Sequence, residues 1–280
     1  MISLSLRRNI SAALAETWLR LLSVSRYPGE LFIELIVPTV LASMPILLGQ
    51  AAAGPDAAVN FAAKTGTTNY VAYLLIGSNV FTLVTRAFWD IAYWLRFEQE
   101  IGTLEAVCLT PTSRLTLASG VAIYSAIRGL LTTSLAYVLG CLVFWVNPFQ
   151  GDVLLALAFI GVGLTPLYGL AFLFGALILK VKETNALIGL MQWLVSFLMG
   201  IFFPVAVLPP LVRAVALAFP PTWMVNGVRS ALLGVGFFFE TWYLDLAMLG
   251  VFLLFVPLFT REVFRRVEYG LRRNQGVGEF

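Results

Sequence analysis

Residues 153–179 have the sequence VLLALAFIGVGLTPLYGLAFLFGALIL, which contains no charged side chain. A helix needs roughly 20 consecutive apolar residues to cross the hydrocarbon core of a bilayer. The stretch exceeds that length. We therefore predict a membrane-spanning helix over Val153–Leu179, with Pro166 inside it.

The whole chain shares this apolar character. Of its 280 residues, 60% are hydrophobic and 12% are charged, whereas soluble domains are about 45–50% apolar and about 25% charged. Histidine is absent, which removes the commonest general base and the commonest zinc ligand. The two cysteines, Cys108 and Cys141, are expected as free thiols. We expect a polytopic membrane protein with no catalytic centre, cofactor site or metal site in this chain.

Further apolar stretches on both sides predict more spans. The six predicted spans are Leu31–Leu48, Tyr70–Trp94, Leu117–Trp145, Val153–Leu179, Asn185–Leu208 and Tyr243–Phe259. They predict an all-α fold with six transmembrane helices in a single domain over residues 1–280.

The distribution of lysine and arginine predicts the orientation of these spans. If both termini are cytoplasmic, the inner segments hold Arg7, Arg8, Arg20, Arg26, Arg96, Arg114, Lys180, Lys182, Arg261, Arg265, Arg266, Arg272 and Arg273. The outer segments hold only Lys64, Arg213 and Arg229. Because cytoplasmic loops are enriched in positive charge, we expect an integral protein of a prokaryotic inner membrane, with residues 261–280 as a cytoplasmic tail.

Residues 4–26 have the pattern of an amphipathic helix. Leu6, Ile10, Leu14 and Trp18 recur at four-residue steps on one face. Such a helix is predicted to lie in the membrane interface with its arginines near the headgroups. The alternative is a helix packed on protein.

Residues 97–111 differ from the rest of the chain because they are short and acidic. Glu98, Glu100 and Glu105 fall within eight residues, and Pro111 ends the segment. The predicted topology places it in the cytoplasm, between the second and third spans. A three-turn helix is marginal alone, so we expect it to dock on a basic surface. The alternative is a solvated connector.

Arg86, Asp90 and Arg128 lie more than three turns from the ends at which their predicted spans begin. Arg86 and Asp90 are four residues apart and can pair on one helix face, and Arg128 lies in the neighbouring span. Buried charges of this kind face either a partner or a cavity. Two interpretations stay open, an inter-helix ion network or a polar lining of a translocation path. Glu30 and Glu34 are expected at the interface, paired with Arg26.

Prolines interrupt the apolar run after the fifth span. Pro204, Pro209 and Pro220 divide residues 204–236 into pieces too short to cross the bilayer, and Arg213 and Arg229 fall within them. We predict a re-entrant helical hairpin in the outer half of the membrane. The alternative is a hairpin in the interface. In both cases the two arginines are expected to snorkel or to contact an anionic headgroup.

Two stretches carry a resemblance to a known family. EQEIGTLEAVCLTPTSR, residues 98–114, is similar to the coupling-helix region of type-2 permease subunits of ATP-binding cassette (ABC) exporters. FFPVAVLPPLVRAVALAFPPTWMVNGVRSALLG, residues 202–234, resembles the same family's signature at the end of its fifth span. The resemblance covers nearly the whole chain, including the amphipathic helix and the six spans.

The resemblance implies both partners and site residues. Its coupling helix would contact a separate ATPase subunit through Glu98, Glu100, Ile101, Gly102, Thr103, Leu104 and Glu105. Its outer gate would include Pro204, Pro209, Pro220 and Arg229. The chain has no phosphate-binding loop of its own, so ATP and magnesium would be bound by the partner. The family pattern implies two permease copies, identical or paralogous, with two ATPase subunits.

The cargo is expected to be a hydrophobic or amphiphilic drug, lipid or peptide, and the alternative is a lipid-linked polysaccharide or glycolipid. A secondary transporter is a remote alternative, because it needs carboxylates near the midplane of the membrane and only Asp90 qualifies. An intramembrane enzyme is disfavoured because its acid or metal-ligand cluster is missing. We expect contact with membrane lipid and none with nucleic acid.

Overall fold

The computed structural model describes residues 2–26, 29–54, 57–100, 114–178 and 184–274. Within those ranges the chain forms ten α-helices, one short 3₁₀ turn and no strand. The helices are α1 Ile2–Arg26, α2 Gly29–Ala53, α3 Ala57–Thr65, α4 Tyr70–Glu100, α5 Arg114–Val143, α6 Val153–Ile178, α7 Thr184–Met199, α8 Pro210–Leu217, α9 Pro220–Leu233 and α10 Trp242–Asn274. The predicted all-α class is confirmed.

Five of these helices are long and apolar enough to cross a membrane. The candidate spans are Gly29–Ala52, Tyr70–Trp94, Thr116–Val143, Val153–Ile178 and Trp242–Val263. In the second span, Tyr70–Trp94, 83% of the most apolar window is buried inside the bundle. This burial arises because α4 packs against α2, α5, α6, α7 and α9. The chain is therefore a helical polytopic membrane protein built around α4.

The predicted fifth span is shorter than expected. We predicted one helix over Asn185–Leu208, but α7 ends at Met199. Gly200 adopts a φ of 61°, which is the left-handed conformation that commonly ends helices. The helix does not resume before Pro204, which cannot donate a backbone hydrogen bond. The 16 residues of α7 correspond to about 24 Å, which is less than the roughly 30 Å of a hydrocarbon core.

The short helices α8 and α9 follow the break in α7, and α9 lies in the centre of the bundle. Nearly every residue of α9 is buried, and the helix packs against α4, α6 and α10. Pro220 occupies its first position, where the missing N–H costs nothing. The 14 residues of α9 span about 21 Å, so it penetrates the bundle without crossing it.

Contacts between α9 and α6 show where each end of α9 lies. The amide of Asp152 donates to the carbonyl of Ala231 at 2.8 Å, so α9 ends beside the α5–α6 loop, residues 144–152. A β-carbon added at Gly163 would lie 2.7 Å from Met224 Sδ, so α9 begins near the middle of α6. We call the end of the bundle that carries residues 144–152 the loop end. At the opposite end, α4 finishes and α5 begins.

Helix α1 packs on α5 while its apolar side stays exposed. The Thr17 hydroxyl donates to the carbonyl of Gly120 at 2.9 Å. A β-carbon at Gly120 would lie 2.5 Å from the Ala13 carbonyl, so glycine permits this close packing. Ile10, Leu14 and Trp18 remain exposed, as the predicted amphipathic pattern requires. The membrane-interface position of α1 stays a prediction.

One helix and two helix ends were not predicted from the sequence. Helix α3 forms between the first two spans. Helix α4 continues past Trp94 to Glu100, and α10 continues to Asn274, through most of the predicted tail. Polar residues at these ends extend helices beyond the apolar windows that were used to locate the spans.

Candidate functional site: an ion-pair cluster beside a broken helix

A cluster of charged side chains joins α2, α4 and α5 inside the bundle. The Glu34 carboxylate forms ion pairs with both Arg86 and Arg128, one through each oxygen. Arg86 Nε lies 3.3 Å from Asp90 Oδ2, and Arg128 Nη2 lies 3.0 Å from Glu30 Oε2. We call these five residues the ion-pair cluster. Glu34 is its centre, because it bridges the two arginines.

Hydrogen bonds extend the cluster to α6. The Ser125 hydroxyl donates to Asp90 Oδ2, and the Tyr168 hydroxyl donates to Ser125 Oγ at 2.8 Å. Arg128 Nη1 also donates to the Tyr124 hydroxyl at 2.7 Å. Four helices therefore share one polar network.

The cluster is graded in exposure and lies within candidate spans. The Arg128 side chain is 9% exposed and the Glu30 side chain is 67% exposed, while Arg86 and Glu34 are intermediate. All five residues fall inside the candidate spans of α2, α4 and α5. A charge at the centre of a bilayer costs about 2.5–3.5 kcal/mol on insertion scales. Pairing between the charged groups offsets that cost for every residue of the cluster except Glu30, which lies at its exposed edge.

The sequence analysis found part of this cluster. The predicted pair of Arg86 and Asp90 is present, and Arg128 joins the same network. The expected pairing of Glu30 and Glu34 with Arg26 was wrong, because the two carboxylates pair with the arginines of α4 and α5. Their four-residue spacing at the start of α2, which puts both on one helix face, is the signal that could have identified them.

The balance of charge limits what the cluster can do. Three carboxylates face two guanidinium groups, so the formal charge is −1 when all are ionised. Among the residues that the structure describes, no group of acidic or cysteine side chains could hold a metal ion. The cluster can hold α2 against α4 and α5, and its extra negative charge can attract a cation from the side of Glu30.

The break after α7 is stabilised by Arg229 of α9. Its guanidinium donates to the carbonyls of Gly200 at 2.8 Å, Ile201 and Tyr73 at 3.3 Å. It also lies over the Tyr73 ring, 3.6 Å from the centroid. A buried carbonyl outside regular secondary structure needs a donor from elsewhere, and Arg229 supplies donors to the two residues that follow α7.

The expectation for Arg229 therefore requires a correction. The residue is 2% exposed, so it neither snorkels to the membrane surface nor contacts a headgroup. A β-carbon at Gly77 would collide with the guanidinium and with the Ile201 carbonyl, so glycine lets the break approach α4. Arg213 is exposed on α8 and stays available for a headgroup.

The predicted gate prolines lie along the connection from α7 to α9. Pro204 precedes the 3₁₀ turn Val205–Val207, Pro209 precedes α8, and Pro220 opens α9. Pro220 is buried and Pro209 is exposed. The three prolines therefore mark turns and helix starts, and only Pro220 enters the core.

Most of the predicted coupling segment lies outside the described residues. Glu98 and Glu100 belong to the last turn of α4, so that part of the segment continues α4. Ile101, Gly102, Thr103, Leu104 and Glu105 fall in the range that the structure leaves undescribed.

Comparison with known proteins adds no relative. No protein-family model and no curated protein matches this chain. The resemblance to permease subunits therefore stays a hypothesis drawn from two sequence stretches.

Proposed function

We propose that this chain is the membrane-spanning permease subunit of an ABC exporter, working as a pair of permeases with two separate ATPase subunits. In this proposal both termini and the α4–α5 connection are cytoplasmic, and α7 with its broken continuation is the fifth of six spans. The motifs at residues 98–114 and 202–234 support it, as does the helical fold, in which two short helices separate α7 from the last long helix.

The observation that carries the proposal is the set of contacts made by α4. One end of this helix leads into the acidic segment, its middle holds Arg86 and Asp90 in the ion-pair cluster, and its other end holds Tyr73 and Gly77 against the broken helix. Its 31 residues form a rod of about 46 Å. Force applied to residues 98–105 by a partner would reach both polar sites through one rigid element.

A displacement of α4 would act on the backbone break that follows α7. Backbone at membrane depth is tolerated outside a regular helix only where protein or a wet cavity satisfies its polar groups. Here Arg229 and α4 satisfy the groups after Met199. A displacement of α4 would change those contacts, so the segment from Gly200 to Pro220 is positioned to open and close a path.

The test is ATP dependence in a reconstituted system. The chain is co-expressed with a candidate ATPase subunit and reconstituted, and ATP turnover and export of amphiphilic dyes are measured. We expect dye movement only with the ATPase and ATP. Replacing Glu98 and Glu105 by alanine should weaken assembly, whereas Glu262→Ala, on α10, should not. Dye movement by the chain alone would falsify the proposal.

The cargo we propose is a hydrophobic or amphiphilic molecule, such as a drug, lipid or peptide. Its test is stimulation of ATP turnover by a panel of such compounds, with a glycan lipid as the comparison. Stimulation by the glycan lipid alone would favour the alternative cargo, a lipid-linked polysaccharide or glycolipid.

One observation favours a second candidate, a secondary transporter. The structure gathers Glu30, Glu34 and Asp90 in one network, and carboxylates inside membranes mark ion pathways. This candidate predicts transport driven by a proton or sodium gradient without ATP, and its loss in Asp90→Asn. The permease proposal predicts that Asp90→Asn lowers stability in detergent and leaves cargo selectivity unchanged.

A further inference from the structure

A groove lies between α5 and α6 near the loop end of the bundle. It has a volume of about 190 Å³, a floor formed by α4 and α9, and a mouth at Pro148 and Phe149. Its walls are mainly apolar and include Val153, Leu157 and Ile160. Because α5 and α6 are both candidate spans, the groove faces the membrane.

Four polar side chains line this apolar groove, Asn79, Thr133, Ser134 and Tyr137. Asn79 is 3% exposed. Its amide nitrogen donates to the Leu75 carbonyl at 2.8 Å, which fixes the orientation of the amide and leaves Oδ1 buried without a partner. Burying an acceptor without a hydrogen bond costs about 1–3 kcal/mol in proteins. Asn79 therefore lines the floor of the groove with an unused acceptor that has almost no exposed surface, so a ligand reaches Oδ1 only when the amide turns toward the groove.

The hydroxyl groups on the wall are unused as well. Within the described residues, Thr133 and Ser134 make no hydrogen bond, and Tyr137 Oη is buried without an oxygen or nitrogen partner, with the Cys141 thiol as a weak neighbour. Serine and threonine in helices commonly donate to a carbonyl one turn earlier. Thr132 does so to Arg128 at 3.0 Å, and Ser196 does so to Trp193 at 2.7 Å. Thr133 and Ser134 therefore differ from comparable residues of this chain.

The depth of these groups indicates the kind of molecule that could use them. The 30 residues of α5 span about 45 Å, whereas the hydrocarbon core is roughly 30 Å thick. If α5 is centred, the core begins about 7 Å from its end, and Tyr137 and Thr133 lie about 9 and 15 Å from that end. Tyr137 therefore lies about 2 Å inside the hydrocarbon boundary, next to the interfacial region that holds the hydroxyl and amide groups of lipids, and Thr133 lies about 8 Å inside it.

We propose that this groove binds a lipid-like amphiphile that carries a hydroxyl or amide N–H group. That group exchanges hydrogen bonds with the exposed Ser134 hydroxyl and reaches Asn79 Oδ1 and the Tyr137 hydroxyl when these side chains turn toward it. The apolar chain lies along Val153 and Leu157 and leaves laterally between α5 and α6. This site is formed within one copy of the chain and does not depend on the proposed function.

The test uses a photoactivatable monoacylglycerol as the probe, because it offers two hydroxyl donors on one acyl chain. The full chain is purified into phosphatidylcholine nanodiscs, irradiated with the probe and mapped by mass spectrometry. Unlabelled monoacylglycerol should compete, and the matching fatty-acid methyl ester, which has no donor, should not. We expect adducts on the walls of the groove, in residues 133–160.

The variants separate the polar recognition from general lipid contact. Asn79→Leu and Tyr137→Phe should each lower labelling by about fivefold, because one hydrogen bond contributes about 1 kcal/mol. Ser196→Ala is the matched control, since it removes a lipid-facing hydroxyl from α7. Ser134→Ala provides a second test on the surface of α5, should Asn79→Leu fail to fold in a thermal unfolding assay.

Two results would overturn the proposal. The first is equal competition by the methyl ester and the monoacylglycerol, which would mean that the groove recognises only apolar chains. The second is unchanged labelling in the folded groove variants, which would mean that water and not a ligand satisfies these polar groups.

Discussion

At the scale of single residues, Arg229 compensates for a broken backbone. Its donors reach three carbonyl groups and its plane covers the Tyr73 ring. In the described part of the chain it has no carboxylate partner, so its charge is balanced by carbonyl dipoles and an aromatic face. This arrangement explains why an arginine is tolerated in the core of the bundle.

We expect Arg229→Met to lower the melting temperature of the purified protein by many degrees. Methionine keeps much of the apolar volume but leaves several buried carbonyls without donors, each at a cost of about 1–3 kcal/mol. Thermal unfolding in detergent measures the effect. Arg213→Met is the control, because Arg213 is exposed on the adjacent helix. Equal melting temperatures for the two variants would contradict the clamping role of Arg229.

Glu34 is the residue on which the ion-pair cluster depends. Glu34 forms ion pairs with both arginines, while Asp90 and Glu30 each pair with one arginine. Removing its charge leaves each guanidinium with a single carboxylate.

We therefore expect Glu34→Gln to destabilise the protein by about 3 kcal/mol, within the range for breaking a buried pair. Glu262→Gln should change stability by less than about 1 kcal/mol, because Glu262 pairs with an arginine that is 78% exposed. Both variants are compared by thermal unfolding at low and high salt. A similar, salt-sensitive loss in both would indicate that the cluster is effectively solvated.

At the scale of helices, small residues determine where α9 can enter. A β-carbon at Gly227 would collide with the ring of Phe159 on α6, so these two helices touch through a glycine. Small residues serve the same purpose generally in membrane helix packing, where close approach replaces the hydrophobic driving force. Gly227 and Gly163 together permit α9 to lie along α6.

Replacing Gly227 by alanine is expected to destabilise the protein by about 1–3 kcal/mol through overpacking. Gly161→Ala, on the facing helix α6, should be neutral or slightly stabilising, because nothing lies within 4 Å of its added β-carbon and alanine favours helix by about 1 kcal/mol. Melting temperatures and the yield of monodisperse protein provide the measurement. The reverse order of the two variants would show that α9 does not pack as described.

At the scale of the whole molecule, apolar side chains divide between the core and the surface in a way that suits lipid. The exposed apolar face of α7 includes Leu190, Trp193 and Phe197. Trp223 of α9, in contrast, is buried and packs against Phe238, which precedes α10. A soluble protein rarely exposes apolar patches of this size, so this surface requires lipid or another copy of the chain.

Single-tryptophan variants test this arrangement. With the other tryptophans replaced by phenylalanine, the fluorescence of Trp193, which is 76% exposed, should be strongly quenched by brominated lipid in liposomes. Trp223, which is 3% exposed, should be quenched weakly. Equally strong quenching of both tryptophans would contradict the burial of α9. Weak quenching of both would indicate that another protein surface, such as a second copy of the chain, covers α7.

The sequence by itself determined the all-α membrane class, the positions of the long helices and the division of residues 204–236 into two short helices. It could do so because apolar length and proline position act locally, within one or two turns. It also identified the pair of Arg86 and Asp90, which are neighbours on one helix.

Only the tertiary structure decided which distant residues meet. Glu34 pairs with Arg86 and Arg128 because α2, α4 and α5 pack together, and Arg229 is buried because α9 folds back against α4 and α6. The break after Met199 also depends on a partner, since the carbonyls of Gly200 and Ile201 are stable in the core only when Arg229 reaches them. Such pairings arise from packing between helices and leave no periodic signal in any single helix.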